Sequence, residues 1–151
     1  MEWISLASTA LGALVGLAAT FVLDRERWRR ESDQRRRDDR RAVYTSFLAA
    51  TAEASETLIN IARGHDTDAS ASTRAGTVLR DSRVLSRRLE LSLIAEPAVM
   101  AQANALVDRL RAYRHVVGQG LADDTEAVDR ARLAFNEQRD QVIEVMRRTL
   151  T

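Results

Sequence analysis

The longest apolar run of the chain lies at its N-terminal end. Residues 3–23 (WISLASTALGALVGLAATFVL) carry no charge, and nine of them are Leu, Ile, Val or Phe. About 20 apolar residues cross ~30 Å of hydrocarbon, and nine such side chains favour insertion by about 3 to 5 kcal/mol. The pattern therefore predicts a transmembrane anchor over residues 1–23, with Trp3 and Trp28 as anchors at the two interfaces.

A cleaved signal peptide is the competing interpretation of this run. No positive n-region precedes it, and no convincing A-x-A site separates it from Asp24, so an uncleaved anchor is favoured. The positive-inside rule then predicts an N-terminus outside the cell membrane and a cytoplasmic C-terminal domain. The basic residues that set this topology, and that can also contact anionic lipid, are Arg25, Arg27, Arg29 and Arg30.

Small residues recur at every fourth position of the predicted span. This spacing lets two helix backbones approach closely in lipid, where packing drives association. The pattern therefore predicts that the span self-associates and that the protein is a homo-oligomer. The predicted packing residues are Ser8, Gly12, Gly16 and Thr20.

A charged segment follows the span. Residues 24–41 contain nine arginines and six acids and have no apolar stripe. Because neither Gly nor Pro occurs between Leu17 and Arg63, the helix is expected to continue through this segment as a juxtamembrane stalk. The stalk lacks interleaved aromatic residues, and the net charge of the chain is only +1, which argues against a nucleic-acid partner.

From residue 42 onward, apolar positions recur at three- and four-residue steps, as is typical of amphipathic helices. The pattern predicts four helices, and short connections after the second and third favour antiparallel neighbours. The predicted fold is all-α, with the transmembrane and stalk helix leading into a cytoplasmic antiparallel four-helix bundle over residues 42–151. The predicted boundaries are a first helix ending at Gly64, a loop over 65–76, a second helix over 77–94, a third starting at Pro97 and a fourth starting near Asp123.

Each predicted helix has its own inward face. On the first helix it comprises Val43, Phe47, Ala50, Ala54, Leu58 and Ile61, and on the second Val78, Leu85, Leu89 and Ser92 or Leu93. On the third a strict heptad seam comprises Val99, Ala103, Leu106, Leu110, Tyr113 and Val117. On the fourth it comprises Val128, Ala131, Phe135, Val142 and Val145, with Met146 as a further candidate.

Three further features lie on or beside these inward faces: a polar residue within a seam, an apparent helix cap and an unusually apolar helix end. Gln138 interrupts the seam of the fourth helix, and a single polar residue in a seam often fixes register. Asp123 and Glu126 resemble a capping box. The end of the second helix (LELSLI) is unusually apolar, so Leu91 and Ile94 are expected to face a protein partner.

The sequence offers no persuasive catalytic constellation. His65 and His115 are the two histidines, and neither belongs to a metal-binding motif. Two pairs of loop aspartates, Asp66 with Asp68 and Asp123 with Asp124, could hold a cation only if their loops met. There is no cysteine, which excludes disulfides and fits a reducing compartment. The chain is therefore expected to be a non-enzyme without cofactor or metal.

The first sixty residues resemble small single-span membrane proteins of high-GC actinobacteria. The resemblance lies in a membrane helix that begins with Trp, then D-R-x-R-W-R-R-E-x-D-Q-R, then R-x-x-Y-x-x-F-L-x-A-x-x-E-A over Arg41 to Ala54. Some of these proteins are labelled Kil-like or plasmid-spread proteins. The resemblance implies membrane residence and a part in plasmid transfer or a similar envelope process, and it carries over no catalytic residue.

These patterns together favour a non-enzymatic, membrane-anchored helical scaffold. It would contact membrane lipid and would self-associate or dock a cytoplasmic protein partner. The alternative is a pore-forming, holin- or toxin-like protein whose span assembles through Ser5, Ser8, Gly12 and Thr20. A sensor that relays rotation through the stalk is disfavoured, because the chain outside the membrane is too short to bind a ligand.

Overall fold

The computed structural model describes residues 34–64 and 70–150, and all structural statements refer to these ranges. The chain divides into two compact units, residues 1–39 and 40–151. In the first unit, residues 34–39 are helical and exposed. The described part of the second unit consists of helices and their connections, with no strand. Its helices are α1 (40–62), α2 (Ala71–Asp81), α3 (Val84–Ser92), α4 (Pro97–Gly118) and α5 (Glu126–Arg148).

The predicted membrane anchor lies outside the described residues. Over residues 34–64 and 70–150, no helix combines the length and the apolar character that crossing a membrane requires. The predicted span at residues 3–23 therefore stays a sequence-based prediction, and the fold that the structure describes is all-α.

The first connection is shorter than the sequence predicts. As expected, Gly64 terminates α1: it lies two residues after the last helical residue and has a φ of 70° that favours glycine. The next helix, however, begins at Ala71, so the predicted loop over residues 65–76 is wrong from its seventh residue onward. Ser70 is the reason, because its side chain accepts a hydrogen bond from the Thr73 backbone N–H at 3.3 Å and caps the helix.

The predicted second helix is broken in two. Residues 82–83 form a turn between α2 and α3, and Arg83 adopts a left-handed conformation with φ 56° and ψ 23°. The Ser82 backbone N–H still donates to the Val78 carbonyl at 3.0 Å, which closes the last turn of α2. The break changes the helical phase, so the residues of α3 that face the core differ from those predicted for one continuous helix.

The last two helices begin and end near the predicted positions. Pro97 occupies the first turn of α4, where its missing N–H costs nothing. The predicted capping box at the start of α5 is wrong, since the N-cap residue is Thr125 and its side chain makes no capping bond. Asp123 instead pairs with Arg63 at the end of α1, with 2.9 Å between Oδ2 and Nε.

Side-chain contacts fix an antiparallel arrangement within residues 40–150. At one end of α1, the Tyr44 hydroxyl lies 3.1 Å from Thr149 Oγ1, just beyond α5. At the other end lies the Arg63–Asp123 pair, so α1 and α5 run in opposite directions. The start of α2 lies beside the end of α4, where a Cβ on Gly118 would lie 3.7 Å from that of Ala75. With α2 and α3 acting as one interrupted element, the helices form a four-element bundle.

The bundle encloses one apolar core. Every residue of the predicted α4 seam is buried, which confirms that prediction. On α1 the predicted face is confirmed too, with Val43 only partly buried, and Tyr44 joins it unpredicted. Gln138 lies where the α5 seam is interrupted, and its Nε2 donates to Gln102 Oε1 on α4 at 2.8 Å. This single side-chain pair links the two helices at one register.

Candidate interaction surface

Large apolar side chains are exposed mainly at one place in the described ranges. Five such residues are at least one-third exposed, and four of them belong to α3 or the turn that follows it. The fifth, Leu133 on α5, stands apart from them. The four, called here the α3 patch, are Leu85 (46% exposed), Leu89 (66%), Leu93 (78%) and Ile94 (37%).

The helical phase set by the break at Arg83 explains the patch. Val84 and Leu91, seven residues apart, are both fully buried and fix the inward face of α3. Leu85, Leu89 and Leu93 follow each other at four-residue steps, so they form a stripe on the outward side. The prediction that Leu85 and Leu89 face the core is therefore wrong.

The predicted partner-facing pair is also revised. Leu91 is fully buried, so the expectation that it meets a partner is wrong: it belongs to the core of its own chain. Ile94 is exposed and lies at the end of the α3 patch. The surplus of apolar residues in LELSLI was a correct signal of an apolar surface, but the exposed members are largely the other leucines.

One side-chain hydrogen bond joins α3 to α4, and one backbone bond closes the end of α3. Arg88 Nε donates to Asn104 Oδ1 on α4 at 2.6 Å, about midway along α3. After the helix ends, the Ala95 backbone N–H donates to the Leu91 carbonyl at 2.9 Å. The patch is therefore presented by a helix that is anchored by its buried side chains and by a side-chain bond to its neighbour.

The segment that carries the patch is rich in arginine. Arg80 pairs with Asp81 at 3.2 Å, and Arg87 pairs with Glu90 at 2.7 Å. Arg83 forms no ion pair within the described ranges, and the partner of Arg88 there is the neutral Asn104 amide. Residues 80–94 thus carry four arginines against two acids.

The C-terminal part of the patch lies at the end of the bundle where α1 begins. Glu96, three residues beyond Leu93, pairs with Arg40 at 3.3 Å. Arg40 also donates to the Thr149 carbonyl at 3.3 Å, beside the end of α5. Leu93 and Ile94 are therefore close in space to the residue through which the chain leaves this unit toward its N-terminus.

The opposite end of the bundle contains a charged cluster around a buried tyrosine. Asp123 accepts from Arg63 at 2.9 Å and from Arg132 at 3.4 Å, and its own backbone N–H donates to the Ala62 carbonyl. Tyr113 is fully buried beneath them, and its hydroxyl has no hydrogen-bond partner in the described ranges. Burial, and then the Asp123 carboxylate, raises the pKa of Tyr113 to about 12, against the opposing effect of both arginines.

Tyr113→Phe is expected to change how stability depends on alkaline pH. The unfolded tyrosine loses its proton near pH 10, before the folded one at about 12. In this interval the folded state binds more protons than the unfolded state, so stability falls as pH rises. Removing the hydroxyl should abolish that fall and, because it is unpaired, should raise neutral-pH stability by about 1 kcal/mol. Urea unfolding at several pH values checks this, and an unchanged alkaline slope in the variant would contradict it.

The remaining polar side chains that could form a catalytic or metal-binding site are exposed to solvent or already paired. A groove lined by Glu53, Asp81, Ser82 and Arg83 opens to solvent between α1 and the α2–α3 turn. Hydrogen bonds from Thr77 and Arg80 lower the pKa of Asp81 below its ordinary value. His115 is exposed, with Nε2 3.3 Å from Gln119 Nε2. Across residues 34–64 and 70–150, no group of three or more acidic, histidine or cysteine side chains is placed to hold a metal ion.

Several predicted site residues lie outside the described ranges. They are the span-packing residues Ser8, Gly12, Gly16 and Thr20, the interfacial Trp3 and Trp28, and Arg25, Arg27, Arg29 and Arg30. Ser5 of the pore alternative and His65, Asp66 and Asp68 of the first loop also lie outside them.

Comparison with known proteins adds no assignment. The chain matches no protein-family model, no characterised protein and no solved structure.

Proposed function

We propose that the protein is a non-enzymatic, membrane-anchored helical scaffold. Its N-terminal span holds the bundle at the cytoplasmic face of the membrane and self-associates. The bundle supplies a surface on which a cytoplasmic protein partner docks. Plasmid transfer or a related envelope process is the setting that the resemblance of the first sixty residues suggests.

The observation that carries this proposal is the α3 patch. The bundle already buries a full apolar core, so the exposed leucines are not needed to complete it. Apolar side chains gathered on one exposed face are typical of surfaces that contact another protein or a membrane. The uncharged 21-residue run at residues 3–23, followed by arginines, supplies the separate argument for a membrane.

Substitutions in the span test the self-association part of the proposal. Gly12→Leu and Gly16→Leu should each weaken oligomers in detergent by on the order of tenfold, about 1.4 kcal/mol, because a larger side chain prevents close helix approach. Leu11→Ile is the matched control and should leave the oligomer unchanged, since it alters shape without blocking that approach. Light scattering of the purified full chain measures the oligomeric state.

Two further results would contradict the proposal. One is a purified full chain that is monomeric in detergent and crosslinks to nothing in membranes. The other is a chain that alkaline carbonate removes from the membrane fraction, because an inserted span resists such extraction. Equal oligomerisation of Gly12→Leu, Gly16→Leu and Leu11→Ile would remove the small-residue packing argument alone.

A further inference from the structure

We propose that α3 is a two-state element that can exchange the face it buries. In the structure, the turn at residues 82–83 separates α3 from α2, and Val84 and Leu91 are fully buried. In the second state the turn becomes helical, α3 continues α2 without a break, and Leu89 and Leu93 face the core instead. The inference goes beyond the proposed function, because it concerns the packing of α3 and is independent of the membrane anchor.

The apolar positions of α2 and α3 fit one continuous helix as well as a broken one. Ala75, Val78 and Ser82 mark the buried face of α2. At about 100° per residue, a helix continued through the turn places Leu89 and Leu93 within about 40° of that face. The exposed stripe of the α3 patch is therefore the helical extension of the buried stripe of α2.

The same geometry turns the present inward face of α3 outward. In a continuous helix, Val84 and Leu91 would lie more than about 150° from the buried face of α2. Each state thus buries two aliphatic side chains of α3, so apolar burial alone does not select one of them. Two discrete packings of one segment are what a conformational switch requires.

Local interactions favour different states. The broken state needs Arg83 in the left-handed region, with φ 56°, which is less favourable for a residue with a Cβ than for glycine. Arg83 is the N-cap residue of α3, and its side chain makes no capping bond. Against this, the bond of 2.6 Å from Arg88 Nε to Asn104 Oδ1 on α4 stabilises the broken state, because Arg88 turns away from the core in a continuous helix. Packing and one interhelical bond therefore hold α3 in the observed phase.

The consequence is a surface that the chain can present or withdraw. The α3 patch is exposed in the broken state, whereas the continuous helix buries Leu89 and Leu93. A partner that binds the patch would shift the population toward the broken state. This consequence, unlike the two-state element itself, rests on the proposed docking function.

Leu91→Asp tests the inference, because its charge is buried in the broken state and exposed in the continuous one. The chain has no cysteine, so Leu89→Cys adds a single thiol whose reaction rate with an aromatic disulfide reagent reports its exposure. In the full chain in detergent, Leu91→Asp should slow this reaction by on the order of tenfold or more, because the thiol is buried in the favoured state. Leu133→Cys, which is exposed on α5, is the matched control and should react at the same rate with and without Leu91→Asp.

Arg83 supplies a second test of the change in phase. Adding Arg83→Gly to Leu91→Asp and Leu89→Cys should make the thiol reaction several-fold faster again, because glycine adopts the left-handed turn without steric cost. Arg83→Ala removes the same side chain but keeps the Cβ, so it should leave the slow rate unchanged.

Three results would overturn the inference. The first is an unchanged or faster reaction of Leu89→Cys with Leu91→Asp present, which would mean that α3 detaches from the core. The second is an equal rate with Arg83→Gly and Arg83→Ala. The third is the loss of cooperative urea unfolding in both Leu91→Asp and the milder Leu91→Ser, since a second packing would preserve the folded core. None of these results concerns the membrane anchor or the association of the span, so the proposed scaffold would stand.

Discussion

Phe135→Ala is expected to lower the free energy of unfolding by about 3–5 kcal/mol. Phe135 is fully buried on α5, in the same core as Phe47 and Leu106. Truncation removes the transfer energy of the ring and leaves a cavity that neighbouring helices can fill only in part. Because domains of this kind are stable by only about 5–15 kcal/mol, the loss is a large share of the total.

Leu133→Ala is the matched control for this experiment. It removes an apolar side chain from the same helix, two residues away, but Leu133 is 59% exposed, so the expected change is within about 0.5 kcal/mol. Urea unfolding of both full-chain variants, followed by far-ultraviolet circular dichroism, measures the difference. Similar losses in the two variants would mean that α5 does not present Phe135 to the core.

The parts of the fold that the sequence predicts correctly have an unambiguous pattern. The α4 seam keeps a strict heptad spacing from Val99 to Val117, begins after a proline and ends at glycines, so periodicity and boundary signals agree. The α1 face and its end at Gly64 are equally clear. In these segments local preference and tertiary packing select the same arrangement.

The break between α2 and α3 has no comparable signal. Neither Ser82 nor Arg83 is a residue that typically interrupts a helix, and a left-handed Arg83 is unfavourable in isolation. Packing offsets this local cost, since the break lets Leu79 on one side and Val84 on the other both enter the core. The spacing of apolar residues in one sequence cannot reveal a change of helical phase that only packing against the neighbouring helices requires.

The sequence indicates that an apolar surface is exposed near the end of α3, but not which residues form it. LELSLI contains more apolar residues than one helix face can bury, which correctly indicates an exposed apolar surface. Which of them are exposed depends on the helical phase after the break, and an error in phase exchanges Leu91 for Leu89. The role of Asp123 was mispredicted for a similar reason. Its place before a helix resembles that of a capping residue, but in the fold it pairs with Arg63, which lies sixty residues earlier in the chain.

Leu91→Ala and Leu89→Ala distinguish a helix broken at Arg83, with Leu91 facing the core, from a continuous helix with Leu89 facing the core. Leu91 is fully buried, so its truncation should lower the free energy of unfolding by about 2–5 kcal/mol. Leu89 is 66% exposed, and its truncation should change stability by no more than about 0.5 kcal/mol. Urea unfolding of both variants measures the difference. A continuous helix over residues 77–94 with Leu89 inward requires the reverse order, so a larger loss for Leu89→Ala would exclude both the break at Arg83 and the α3 patch that depends on it.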